Sequence, residues 1–190
     1  GNDFILQPWD FAYYSHKLKV KCFNVDEEQL RPYFPLAQVQ EGIFSLAQTL
    51  YGIRFKANDL IPVFHPDVKA YEVIDRDGSF LAVLYTDFFP RASKQGGAWM
   101  TSYQEQYIEN DGTDIRPHVS LTANFTPPTK DKPSLLSLHE VETFLHEFGH
   151  CLHGIFSNVR YRSLSGTNVW WDFVELPSQI MENFATDRKS

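Results

Sequence analysis

Apolar residues recur along the chain with two periods, and the changes from one to the other divide it into three parts. Over residues 36–55, Val39, Ile43, Leu46 and Leu50 fall at helical spacing and predict an amphipathic helix. Ahead of it, residues 10–20 read as an early helix, and Asp26 as the cap of a short one that stops before Pro35. The period then shortens to two. Residues 70–75 and 79–86 are β-rich and flank Arg76-Asp77-Gly78, a hairpin signal. Residues 98–102 add a strand. Residues 118–125 alternate, with Val119, Leu121, Ala123 and Phe125 on one face and Ser120, Thr122 and Asn124 on the other. After a proline-bearing loop over 127–133 the helical period returns. Ser137 and Glu140 form a capping box, and Val141, Leu145, Phe148, Leu152 and Ile155 make a core-facing stripe. A second box, Asp172 with Glu175, starts a last helix through Ile180, Met181 and Phe184, with Pro177 in its first turns or at a kink. The order of helices, a small and mainly antiparallel sheet, then two helices predicts an α+β fold, with residues 1–190 as one unit.

The polar side of the first of those two late helices carries the chemistry. His146 and His150 stand one turn apart on one face, so two ring nitrogens can converge on a single metal ion, with Glu147 beside them. This is the H-E-x-x-H arrangement, in which the histidines bind zinc and the glutamate takes a proton from a water at the metal. The stripe Glu142, His146, Gly149, His150 and His153 is expected to face a cleft. A catalytic zinc needs a third protein ligand and one open position, and Glu175 across the helix pair is the candidate. His153 lies two turns from His146, about 10 Å along the axis. It is therefore read as a cleft-wall residue that touches substrate and not as a fourth ligand. Asp172 is a candidate acceptor for a zinc histidine's other N–H, with an N-cap role as the alternative.

The runs His146-Glu147-Phe148-Gly149-His150-Cys151-Leu152-His153-Gly154, Ser165-Gly166-Thr167 and Asp172-Phe173-Val174-Glu175-Leu176-Pro177-Ser178-Gln179 resemble the thimet oligopeptidase family of zinc metallopeptidases. Arg91 to Met100 and Ala123-Asn124-Phe125-Thr126 are similar to that family in the same order and spacing. Within it the likeness is greatest to the bacterial peptidyl-dipeptidases, which release dipeptides from free C-termini, and it extends from about Trp9 to the chain's end. The resemblance implies a zincin-like, mostly helical catalytic region and one Zn2+ on His146, His150 and Glu175, with Glu147 as general base. It also implies a longer enzyme, with a helical N-terminal part that roofs a channel and a C-terminal part whose tyrosine and histidine hold the oxyanion. This chain would then be a partial catalytic domain that binds zinc but hydrolyses peptides weakly or not at all. Two rival readings stand beside it: an internally cleaving oligopeptidase of the same family, and a non-catalytic zinc or peptide-binding module.

Short peptides are the expected substrates. Zinc peptidases hold them as an added strand, gripped by backbone hydrogen bonds. Gly96, Gly97 and Ala98, where the backbone can be approached closely, or the strand around Asn124, would supply that edge. Tyr161, Ser165 and Gly166 lie in a loop that could cover the peptide. A net charge of -7 without a basic stripe argues against nucleic acid. The most apolar stretch, residues 80–85, is too short to cross a bilayer. Cys22 and Cys151 do not make a disulfide framework, and Cys151 reads as a packing residue. The cytoplasm is the expected compartment, with the periplasm as the alternative. Trp9, Tyr13, Tyr14, Trp170 and Trp171 are expected to be exposed where further segments of the enzyme would cover them.

Overall fold

The computed structural model describes residues 6–23 and 27–186. Helix α1 spans Pro8–Phe23, and two 3-10 turns follow at Glu27–Gln29 and Arg31–Tyr33. The short helix expected there is thus replaced by 3-10 turns, and its cap Asp26 lies outside the described residues. Helix α2 covers Leu36–Tyr51 and stops four residues earlier than expected, because Gly52 adopts a left-handed φ of 81° and its N–H caps Gln48. Arg54–Ala57 then becomes strand β1, which the helical period had hidden.

Strands β2 (Lys69–Ile74) and β3 (Phe80–Asp87) form the expected hairpin. Strands β4 (Trp99–Gln104) and β7 (His118–Thr122) complete a five-stranded sheet in the order β1-β2-β3-β7-β4, and the short β5 (Tyr107–Ile108) and β6 (Asp114–Ile115) pair separately. Every pairing in the larger sheet is antiparallel except β3 with β7, so the mainly antiparallel expectation holds. Strand β4 lies at one edge and β7 lies inside.

One face of the sheet, with Val73, Leu84, Val119, Leu121 and Phe125, packs on α2 and on helix α3 (Leu138–Ile155) in a single apolar cluster. The other face buries Ala70, Val83 and Tyr85 against Val68 and Ile61 of the loop after β1. Ser120 and Thr122, expected on a polar face, are buried as well, with their hydroxyls 3.4 Å apart. Helix α3 supplies Val141, Leu145, Phe148, Leu152 and Ile155 to the core, as its period predicts. Its capping box forms in full between Ser137 and Glu140. Glu140 is further held by Arg31 and by the N–H of Thr126.

Helix α4 spans Leu176–Thr186, and residues 171–175 before it form turns. The expected box on Asp172 does not form, because the helix begins four residues later, with Pro177 in its first turn where no N–H is needed. Both cysteines are free, Cys22 exposed and Cys151 buried. No α1 residue of described burial is buried, and Trp9, Trp170 and Trp171 are among the exposed aromatics. Among the described residues no helix is long and apolar enough to cross a membrane.

Candidate metal centre

Helices α3 and α4 approach so closely that a Cβ on Gly149 would stand 2.6 Å from the Pro177 carbonyl and the Ser178 Cα. Only glycine permits that approach, and it carries the start of α4 to the histidine face. There the Oε2 atom of Glu175 lies 3.3 Å from Nε2 of His146 and 3.1 Å from Nε2 of His150. The three groups offer one ligand atom each, all within 4.8 Å of one another. Tetrahedral zinc with bonds near 2.0–2.1 Å puts its ligand atoms about 3.3 Å apart. Two imidazole nitrogens and a carboxylate oxygen at this spacing are a donor set that zinc accepts, and they leave a fourth corner for water or substrate.

Local contacts set the position of each donor. His146 and His150 are fixed by a helix whose other face is core, and their rings meet edge to face with centroids 4.9 Å apart. Glu175 is exposed, and the buried Ser178 hydroxyl donates to its Oε2 at 2.8 Å and to its backbone carbonyl at 2.9 Å. Glu147 is buried beside the pair. Burial pushes its carboxyl above the ordinary value, His146 opposes this, Glu175 adds to it, and the Met100 N–H opposes it again. Burial also lowers the pKa of His150 against the pull of Glu175, which favours the neutral, metal-binding ring. Burial pushes the Cys151 thiol well up, and Glu147 adds to that, so it is a packing residue as expected and not a thiolate.

Two hollows share Ala98, His146 and Glu147. One, of about 540 Å³, extends over Gly97, Asn124, His139, Glu142 and Glu182; the other, of about 350 Å³, extends over Met100, His150, Thr167, Trp171 and Glu175. Edge strand β4 therefore runs past the candidate ligands, and Ala98 and Gly97 line the cleft as expected. Gly96 does not line it. The Asn124 side chain donates to the carbonyls of Gln95 and Gly97 at 2.8 Å each. The strand that precedes it, β7, ends at Thr122 and is paired on both sides. Asn124 thus holds the glycine turn that feeds β4, and β7 offers no free edge.

The loop between the helices departs from the reading that it covers a peptide. Ser165 is buried and bonded to Ser157 Oγ at 2.9 Å, and the N–H of Gly166 donates to the same hydroxyl at 3.0 Å. A Cβ on Gly166, whose φ is 53°, would stand 3.2 Å from the Gly154 Cα. Gly166 is accordingly part of the body, and Tyr161 is exposed away from both hollows. None of Tyr161, Ser165 and Gly166 lines either hollow, whereas Thr167, which carries no expected role, lines the smaller one. His153 sits edge to face with Phe173 and lines a separate cavity of about 330 Å³ with Gly166. The polar stripe of α3 hence does not open into one cleft: Gly149 is sealed by α4 and His153 faces elsewhere.

Asp172 is exposed, and among the described residues no hydrogen bond joins it to either imidazole. The carboxylate at Nδ1 of His146 is Glu182, 2.5 Å away, which sequence reasoning missed. Its sequence signal is a carboxylate seven residues after Glu175, a spacing that would share a face with it in the helix predicted from Asp172 onward. The Ser178 hydroxyl that orients Glu175 has no signal in the sequence beyond its place in the motif.

The model of Peptidase family M3 matches residues 1–190. The chain is 47% identical over 184 residues to the dipeptidyl carboxypeptidase of Escherichia coli (strain K12), covering 96% of this chain and 27% of that protein. It is 43% identical over 180 residues to oligopeptidase A of the same organism, covering 94% and 26%. The organellar oligopeptidase A (chloroplastic/mitochondrial) of Arabidopsis thaliana is 42% identical over 186 residues, covering 95% and 24%. The chain spans about a quarter of the length of these curated relatives, and the matches bear out the resemblance carried by its motifs.

Proposed function

The chain belongs to Peptidase family M3, and from that premise we propose that it is the metal-bearing part of a zinc peptidase that hydrolyses short peptides. The observation that carries this reading is the meeting of His146, His150 and Glu175 at ligand distances, with the buried carboxylate of Glu147 next to them. When bound, zinc would polarise the scissile carbonyl and make a water easier to deprotonate. Glu147 accepts a proton from the attacking water and returns it to the leaving amine. Burial suits it to both steps, because it raises the carboxylate's basicity from a value at which it would hold no proton at neutral pH. A binding module would gain nothing from such a base.

A peptide laid along the free edge of β4 would take its backbone hydrogen bonds there and place residues in the two hollows on either side of Glu147. We assign release of C-terminal dipeptides as the cleavage mode, in keeping with the 47% identity to a dipeptidyl carboxypeptidase. Internal cleavage is the second reading, favoured by the oligopeptidases A among the relatives. Partners of the chain are the remaining segments of the enzyme, without which the 190-residue piece cleaves weakly or not at all, and the compartment we assign is the cytoplasm. In the full-length protein, Glu147→Gln should leave zinc binding intact and lower peptide turnover by about a hundred- to ten-thousand-fold. Turnover within a few-fold of the unchanged enzyme would overturn the reading.

A further inference from the structure

Strands β3 and β4 lie on opposite sides of β7, and Thr122 is the register partner of both Asp87, where β3 ends, and Trp99, where β4 begins. The chain between them therefore crosses the end of β7 before it supplies the edge that lines the cleft. Apolar packing holds this crossing at its two ends, through Phe88, Phe89 and Ala98. Between them Ala92, Ser93, Gln95, Gly96 and Gly97 are exposed, and a Cβ on Gly96 or Gly97 would meet nothing within 4 Å. Polar tethers must fix the rest. Asn124 holds the carbonyls of Gln95 and Gly97, and Lys94 supplies a second tether. The Lys94 side chain is 2% exposed, and its Nζ donates to the Asp87 carbonyl at 2.8 Å, to Asp87 Oδ1 at 3.0 Å and to the Phe89 carbonyl at 2.9 Å. Every N–H of the ammonium is thus matched. Arg91 pairs with the same carboxylate at 2.8 and 2.9 Å, and among the described residues its guanidinium makes no hydrogen bond to a backbone carbonyl.

We propose that Lys94 is a positioning residue for peptide binding: through Asp87 and Phe89 it ties the crossing to the sheet, and so sets the free edge of β4 at Gly97 and Ala98 against which the substrate backbone lies. The inference rests on the reading of β4 as the substrate's edge and says what holds that edge in place. A lysine is seldom buried, because its charge must be desolvated and fully paired. Here the ammonium stands where an apolar anchor would leave strand-end carbonyls without a donor. The Asp87 carbonyl also accepts the N–H of Ala123, so Lys94 joins β3, the chain after β7 and the crossing at one point. Lys94 lines neither hollow, and its effect on a peptide therefore passes through the backbone of β4. It also lies outside the trio of candidate metal ligands, so the edge and the metal can be perturbed separately.

The test is steady-state cleavage by the full-length protein, unchanged and as Lys94→Met, Lys94→Gln and Arg91→Gln. Each is given a short peptide and versions of it N-methylated at one backbone amide on either side of the scissile bond. Lys94→Met should raise KM by about three- to ten-fold, the loss of about one hydrogen bond's worth of grip, with kcat and zinc content within about twofold. Lys94→Gln keeps a donor, should fall between, and carries the test if the methionine variant does not fold. Arg91→Gln should lower the thermal transition yet leave KM within about twofold, which separates positioning from stability. N-methylation should raise KM of the unchanged protein and raise that of Lys94→Met by a smaller factor, because the grip it removes is already lost. An unchanged KM in the Lys94 variants would overturn the role, as would an equal rise in Arg91→Gln or the full N-methylation penalty in Lys94→Met. An unchanged protein indifferent to N-methylation at every position would instead defeat the reading of β4 as the substrate's edge.

Discussion

Helix α3 and the segment that brings Glu175 contribute to the same candidate centre but are held in opposite ways. Helix α3 is fixed at its start by the Ser137–Glu140 box, along one side by Phe144, Phe148 and Leu152 in the core, and at its end by Arg116, which donates to the carbonyls of Ile155 and Ser157. Glu175 leaves a run of turns, is exposed, and depends on one serine hydroxyl and one glycine contact. The histidine pair is therefore preformed by the fold, while the third donor is presented by a short local device. Loss of the metal site should come more easily from the α4 side.

Gly149 is where the two regions touch, and Gly149→Ala attacks the difference most strongly. Its methyl would meet backbone atoms of Pro177 and Ser178 at 2.6 Å, and backbone cannot give way as a flexible side chain does. We expect a stability loss of about 1–3 kcal/mol by chemical denaturation, with zinc affinity falling further than stability because Glu175 is displaced. Ser178→Ala sharpens the comparison. It removes the hydroxyl that orients Glu175 and should weaken zinc binding by about tenfold while leaving α3 untouched, which calorimetric titration and circular dichroism together would check.

Acid acts on the α3 side and gives the smallest effect. Burial pushes the Glu140 carboxyl up, but the N–H groups of Ser137 and Thr126, with Arg31, outweigh it and hold the pKa below its ordinary 4.5. A carboxyl depressed in the folded state contributes stability above its unfolded value and loses it as pH falls through the folded one. The midpoint of thermal unfolding should therefore drop below about pH 4.5, and Glu140→Gln should remove about 1 kcal/mol of that dependence. An unchanged acid slope in Glu140→Gln would show that the box does not fix the start of α3.

The same contrast explains what the sequence made legible. The start, the core face and the ligand spacing of α3 are legible in advance, because a capping box, a 3.6-residue apolar period and the H-E-x-x-H spacing are local patterns, whereas the sealing of Gly149 by α4 and the separate cavity at His153 depend on packing partners. The sheet was legible as strands and a hairpin. Its order, which makes β4 the edge and puts β7 inside, was not, since pairing between distant strands leaves no mark in either one alone. The apolar period predicts a helix to residue 55, but Gly52 in a left-handed conformation ends it at Tyr51. Asp172 has the residue type and spacing for an imidazole contact or, alternatively, an N-cap. The chain instead turns through residues 171–175, and α4 delivers Glu182 to the ring. The position of Gly166 in the loop between the helices suggests a cover for the peptide, whereas its left-handed φ and its contact with Gly154 give it a packing role.

The central claim is that a carboxylate from the turn leading into α4 and two imidazoles from α3 hold a single zinc ion. Zinc content and X-ray absorption of the full-length protein, compared with Glu175→Ala, test it most directly. The account predicts one zinc per chain in a shell of two imidazoles and light oxygen donors, and a variant that binds at least about tenfold more weakly with a changed shell. A Glu175→Ala protein with unchanged affinity and an unchanged absorption spectrum would contradict it.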